Sequence, residues 1–199
     1  MPRVLSDTDV ADFRERLCEA AERLFAERGP DAVTMRQLAA ELGVSPMTPY
    51  RYFQDKDDIL AAVRTNAFTR FAESLEAARE TAGDARAKGR AVGEAYVTFA
   101  LAHPHSYKLM FDLNQPHAEK YPDLVAAGAR ARGTMTGYVE DALKAGFLKG
   151  DAAQIGLMFW ASVHGAVVLE LAGLLPPGGA SELQKNLDAT LARGLRAGS

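Results

Sequence analysis

The sequence predicts an all-α chain: an N-terminal three-helix unit built around a helix-turn-helix, followed by a C-terminal helical bundle. Three observations predict it. Apolar residues recur at helical spacing along most of the 199 residues. No stretch alternates in the manner of a strand, and no internal repeat or low-complexity segment is visible. Helix-starting residues (Thr, Ser, Asp) and helix-stopping Gly and Pro fall at the ends of the periodic stretches.

Residues 1–8 lack an apolar pattern and are expected to fray. From Asp9 to Arg28, Val10, Phe13, Leu17, Ala20, Ala21, Leu24 and Phe25 form one stripe, stopped by Gly29-Pro30. Thr34 is a good N-cap with Gln37 three residues on, a capping-box pattern. Met35, Leu38, Ala39 and Leu42 then share a face, and Gly43 stands where a left-handed C′ residue is wanted. Val44 fills the angle to the next helix, which Ser45-Pro46 would open as N-cap and N1, with Tyr50 and Phe53 facing the core or the backbone side. Asp55, with Asp58 at N3, opens a helix that reaches about Ala82 and is long enough to join two domains. Beyond the break at Gly83-Asp84, helices are expected at 85–102, 104–111, 122–145, 151–174 and from Ser181, the last striped by Leu183, Leu187, Leu191 and Leu195. His103-Pro104 ends the first of these. Loops are expected at 112–120 and at Pro176-Pro177-Gly178-Gly179. The domain boundary is expected near residue 60: 9–60, then 61–199.

Composition narrows the class. The apolar and charged fractions, 48% and 25%, are those of a soluble globular chain. The single cysteine, Cys18, forbids an intrachain disulfide, which fits a reducing cytoplasm; a small buried side chain or a redox-sensing thiol are its two readings. The start, MPRVLSDTD, has no apolar signal-peptide core. Residues 155–175 are long and apolar enough to span a bilayer, yet carry His164 and Glu170 and lack basic flanks, so a helix buried in a bundle or dimer is expected and no membrane partner. The net charge of −3 gives no basic signature, and residues 1–64 hold nine Lys/Arg against twelve Asp/Glu. That balance counts against nucleic-acid binding. It is offset by the clustering of Arg36, Arg51 and Lys56 on one edge of the helix-turn-helix.

A Gly-containing turn between two short helices is the unit whose second helix enters a DNA major groove. The run T-M-R-Q-L-A-A-E-L-G-V-S-P-x-T-x-Y-R-Y-F-x-x-K-D-x-I-L, residues 34–60, resembles the N-terminal domain of the TetR family of bacterial transcriptional regulators at many fixed offsets. The resemblance covers about the first seventy residues. It implies a homodimer that represses by default and releases a double-stranded DNA operator when a small effector binds. By resemblance, Thr34 and Arg36 match positions that grip a phosphate, and Tyr50 and Tyr52 match positions that hold the DNA backbone. Ser45, Met47, Thr48, Arg51 and Lys56 complete the expected contacts. Arg51 suits a bidentate guanine contact or a phosphate; Thr48 suits a thymine methyl or a phosphate. Lys56, in the first turn of its helix, opposes the macrodipole by ~0.3–1 kcal/mol unless an anion sits there. Pro49 departs from the family, which usually has Leu or Ile at this place. Without its N–H, either the helix begins with a distorted turn or its regular part starts at Thr48 as N-cap and Pro49 as N1.

In the C-terminal part Trp160 and His164 are one turn apart, and W-x-x-x-H-G resembles the pattern of one C-terminal domain class in that family. With Phe99, Tyr107, Met110, Phe111, Met135 and Tyr138 they are expected either to line a cavity for a small apolar effector or to be ordinary core with a hydrogen-bonded histidine. Dimerisation is expected through the helices at 151–174 and from 181, with Gly156, Ala161 and Gly165 permitting close approach. The competing class is a metal-dependent helical enzyme using His103, His105, His117 and His164. No ligand spacing supports it, and neither cofactor nor catalytic residue is expected.

Overall fold

The computed structural model describes residues 7–112 and 118–196. Among these there is no strand. The helices are α1 (Asp7–Arg28), α2 (Met35–Glu41), α3 (Lys56–Thr81), α4 (Ala85–Ala102), α5 (Pro104–Met110), α6 (Pro122–Lys144), α7 (Ala152–Leu171) and α8 (Gly179–Gly194). Three short 3₁₀ turns lie at Pro30–Ala32, Pro49–Arg51 and Ala118–Lys120. The expectation for residues 1–6, and that for the loop at 113–117 with His117, lie outside the described residues. Two compact units result, one from the described parts of Met1–Ala67 and His105–Val125, the other from Phe68–Pro104 and the described part of Ala126–Ser199. The division is not a single point in the sequence, because α5 and the start of α6 group with the first unit and α3 contributes to both.

The first unit closes on Leu17, Ala21, Leu24 and Phe25 of α1, with Leu38, Phe53, Ile59 and Val63, each at most 2% exposed. Each large side chain so buried is worth ~1.5–3 kcal/mol before chain entropy is subtracted. Leu109 brings α5 into this core. Polar contacts hold α5 on α1: Lys108 Nζ donates to the Ala26 carbonyl at 2.7 Å, and Ser106 Oγ donates to the Glu22 carboxylate. Cys18 is buried, and loss of hydration pushes its thiol up to about 11 against the opposing pull of Arg14, so the residue packs as a small inert group.

In the second unit, Arg79 on α3 ties down α6. Its guanidinium donates to Asp141 Oδ2 at 2.8 Å and to the Gly137 carbonyl at 3.1 Å. That hydrogen bond holds the Asp141 carboxyl below its ordinary range. Gly156 lets α7 lie on α6: a Cβ there would stand 3.0 Å from the Met135 carbonyl oxygen. The close approach expected for a partner copy is thus made, at this glycine, within the chain. Glu170 explains itself as a cap: its two carboxylate oxygens accept the Gly178 N–H at 2.9 Å and the Ala180 N–H at 2.7 Å, at the start of α8. α7 is long and apolar enough to cross a membrane by composition, with 33% of its most apolar window buried. Leu157 and Met158 near its start, and Val168, Leu169 and Leu171 near its end, are exposed.

Candidate functional site

The helix-turn-helix is built by local chemistry. The Thr34 hydroxyl accepts the Gln37 N–H at 3.3 Å, and the Gln37 side chain accepts the Thr34 N–H at 2.8 Å, a closed capping box at the start of α2. α2 ends in a Schellman motif: Val44 N–H to Ala39 O at 2.9 Å, Gly43 N–H to Ala40 O at 3.0 Å, with Gly43 at φ 66°. The chain therefore turns sharply as soon as this short helix ends.

The segment after the turn is not the expected α-helix. Residues 45–53 coil through bonds to the third residue back: Thr48 N–H to Ser45 O at 2.8 Å, Arg51 N–H to Thr48 O at 3.1 Å and Tyr52 N–H to Pro49 O at 3.0 Å. Only Phe53 N–H to Pro49 O, 3.1 Å, is an α-type bond. Thr48 precedes Pro49 as cap to N1, the second of the two arrangements Pro49 allows, but as a 3₁₀ turn. The cause is the missing N–H at Pro49, whose ring is buried as an apolar anchor. At three residues per turn, side chains three apart lie in line. Met47 and Tyr50, 68% and 49% exposed, form one row; Thr48 and exposed Arg51 form the next.

The remaining expected contacts lie around this coil. Arg36 and Ser45 are exposed, and Ser45 Oγ accepts the Met47 N–H at 3.4 Å. Tyr52 is half-buried, stacked on Phe13 with ring centroids 4.3 Å apart. Lys56 Nζ donates to the Pro30 carbonyl at 2.6 Å, which spends one of its three donors on bracing the turn after α1. Asp55 caps α3 by accepting the Asp58 N–H at 2.9 Å, and the Asp58 carboxylate reaches back to accept the Gln54 N–H at 3.1 Å.

The expected effector residues fall in both units. Tyr107, Met110 and Phe111 belong to the first unit, where the Tyr107 and Phe111 rings stand 4.9 Å apart. Phe99, Met135, Tyr138, Trp160 and His164 belong to the second. There Tyr96 is the hub. Its fully buried hydroxyl accepts Trp160 Nε1–H at 3.1 Å and lies 3.3 Å from His164 Nδ1. Burial lowers the His164 pKa and so favours the neutral ring, whose tautomer sets which of Nδ1 and the tyrosine oxygen donates. Phe71 meets the Tyr96 ring edge-on at 5.0 Å and Phe99 at 5.2 Å.

A cavity of about 430 Å³ in the second unit lies among α4, α6, α7 and α8. Of the expected effector residues only Tyr138 lines it; Phe159, Phe147 and Leu148 extend its apolar wall, and Gln184 and Asp188 supply polar groups. Sequence reading missed these, because the leucine stripe of α8 drew the inner face elsewhere. Leu183, Leu187 and Leu191 are only half-buried, while Ala180 and Gln184 are the buried residues of that helix. Among the described residues no three His, Cys, Asp or Glu side chains converge to hold a metal, and His117 lies outside them.

Comparison with known proteins fits this arrangement. Residues 17–63 match a family model described as bacterial regulatory proteins, tetR family, and residues 89–196 one described as Tetracyclin repressor-like, C-terminal domain. A solved protein of unknown function from Rhodococcus sp. RHA1 is 33% identical, with 98% of each chain covered and a TM-score of 0.81. An uncharacterized HTH-type transcriptional regulator, Rv0681 of Mycobacterium tuberculosis, is 27% identical over 165 residues, 81% of this chain and 72% of that one. The fatty acid degradation regulator FadR of Bacillus halodurans, at 18% identity and a TM-score of 0.76 over 92% of this chain and 99% of that one, shares the fold.

Proposed function

Because the chain belongs to the tetR family of bacterial regulatory proteins and is a DNA-binding transcriptional regulator, we propose that it is a cytoplasmic homodimeric repressor, released from a palindromic operator by a small molecule taken up in its second unit. The observation that carries the reading is the capped, tightly turned helix-turn-helix with Met47, Tyr50, Arg51 and, on α2, Arg36 exposed and Thr48 half-exposed. Arg51 takes the guanine role, and Met47 and Thr48 the apolar base contacts. Thr34, Arg36, Ser45, Tyr50 and Tyr52 hold the backbone, and Lys56 keeps two donors for a phosphate.

One 3₁₀ coil reads only a few base pairs, so specific affinity needs two copies spaced by whole helical turns, ~34 Å each. The exposed apolar side chains of α7 and the half-buried leucines of α8 are the surface a second copy would cover. Selection of duplexes from a random pool tests operator and symmetry together. The expected result is an enriched inverted repeat; sites without dyad symmetry, or a monomer by sedimentation at micromolar concentration, would overturn the dimeric reading.

A further inference from the structure

We propose that the cavity among α4, α6, α7 and α8 binds an organic anion: an apolar, ring-sized body carrying one acidic group, with a hydrogen-bond donor on the body. It deepens the functional reading, from which it takes only that the second unit receives a small molecule.

Three observations converge. The first is size and wall. About 430 Å³ is within the range of small-molecule sites, and the inner lining is Tyr138, Ala142, Phe147, Leu148 and Phe159. The second is charge. Five cations line the cavity, Arg86, Arg90, Lys185, Arg193 and Arg196, against the carboxylates of Glu94 and Asp188. Lys185 stands 3.9 Å from Glu94 and cancels it. Four arginines and one carboxylate then remain in the lining, in a protein whose net charge is −3. Arg86 is already turned over the Phe147 ring, 4.3 Å from its centroid, joining the cationic lining to the apolar wall. An acidic group at such a fork gains paired N–H donors, while an apolar body takes the aromatic side.

The third observation is an unmet acceptor. Gln184 is 3% exposed; its Nε2 donates to Asp188 Oδ2, and its Oε1 has no hydrogen-bond partner. A buried amide oxygen left so costs ~1–3 kcal/mol, which a ligand donor would offset once the side chain, which lines the cavity, turns that oxygen toward it. Gly93 makes the placement possible: a Cβ there would stand 2.3 Å from Gln184 Nε2. The backbone of α4 thus yields to a polar side chain that the fold alone does not satisfy.

The test uses 8-anilinonaphthalene-1-sulfonate, an anionic bicyclic body with one N–H, and N-phenyl-1-naphthylamine, the same skeleton without the sulfonate. Both are titrated by fluorescence into the full chain. The sulfonate is expected to bind at least roughly tenfold tighter than the neutral amine. The double variant Arg90→Glu/Arg196→Glu, at two exposed arginines, should lose most of that difference. Ala192→Phe, which fills the cavity from α8, should abolish binding of both probes. Equal affinities for the two probes, or indifference to the arginine reversal, would overturn the anionic class. Binding of both probes unchanged in Ala192→Phe would overturn the site. Operator release is followed in parallel: cavity binding that leaves the operator complex intact supports the site and refutes the effector reading alone.

Discussion

Replacing Tyr96 with Phe removes one oxygen and keeps everything else about the residue. The ring is fully buried and remains edge-on to Phe71 at 5.0 Å, so the apolar contribution is unchanged. The loss comprises the acceptor for Trp160 Nε1–H at 3.1 Å and the partner of His164 Nδ1 at 3.3 Å. Two net hydrogen bonds are worth ~0.5–1.5 kcal/mol each, and the half-buried indole and imidazole recover part of this from water. The expected destabilisation is therefore ~1–3 kcal/mol, or ~2–10 °C in Tm for a chain of this size. Urea unfolding at fixed protein concentration measures it, with far-UV circular dichroism and the emission of the only tryptophan as paired probes. The cycle with His164→Ala should show coupling of ~0.5 kcal/mol or more. A Tyr96→Phe loss under ~0.3 kcal/mol, with emission unchanged, would show that the oxygen is not the link between Trp160 and His164 and refute the hub.

Three further outcomes are expected. Burial holds the Asp188 carboxyl up at about 6, so the folded chain keeps a proton that the unfolded chain releases near 3.8; that stability is complete below the lower value and lost as pH rises through about 6. Asp188→Asn, which still accepts from Gln184, should remove this loss, raising stability at pH 8 by ~1–3 kcal/mol relative to pH 4 in thermal scans at both pH values. Glu170→Ala deprives the start of α8 of both carboxylate caps and should cost ~1–2 kcal/mol by chemical denaturation, with Gln recovering part. Arg51→Ala should relax preference at one position per half-site, at ~1–3 kcal/mol there, while Arg36→Ala weakens all duplexes alike and lowers the salt slope in gel-shift titrations.

The helices were legible because their ends are chemical. Thr34 with Gln37 and Asp55 with Asp58 each cap the helix they foretold, within a residue or two of the expected start; Asp84 and Asp151, read from sequence only as part of a break and as the start of a helix, are caps as well. The one element that differs, the coil at 49–51, was flagged by the residue that causes it. The sequence shows that Pro49 lacks an N–H; it does not show that the neighbouring bonds re-form one residue tighter, because that depends on how deeply the ring is buried in the folded chain. The acidic balance of residues 1–64 also has a local answer. Asp55 and Asp58 are consumed in capping α3, and Glu41 and Glu22 in contacts with Arg23 and Ser106, while Arg36 and Arg51 are left on the exposed edge.

The second unit's polar interior was not legible, and the reason lies in what periodicity measures. A stripe of leucines predicts the face that avoids water, and on α8 it points to residues 183, 187 and 191. In the folded chain that face is half-covered, and the buried face is the adjacent one, where Ala180 and Gln184 sit. The inversion has two physical sources. Gly93 on α4, by lacking a Cβ, leaves the space that the Gln184 amide occupies. The leucine face is then available to other apolar surface, such as that of a second copy with its own α7 and α8. If so, the two faces of α8 divide the unit's work, leucines toward assembly and Gln184 with Asp188 toward the cavity. A change that fills the cavity, Ala192→Phe, should then leave the oligomeric state unchanged, whereas Leu187→Glu should dissociate the protein without changing cavity binding. Dissociation by the cavity variant, read by sedimentation, would show that α8 does not keep these roles apart.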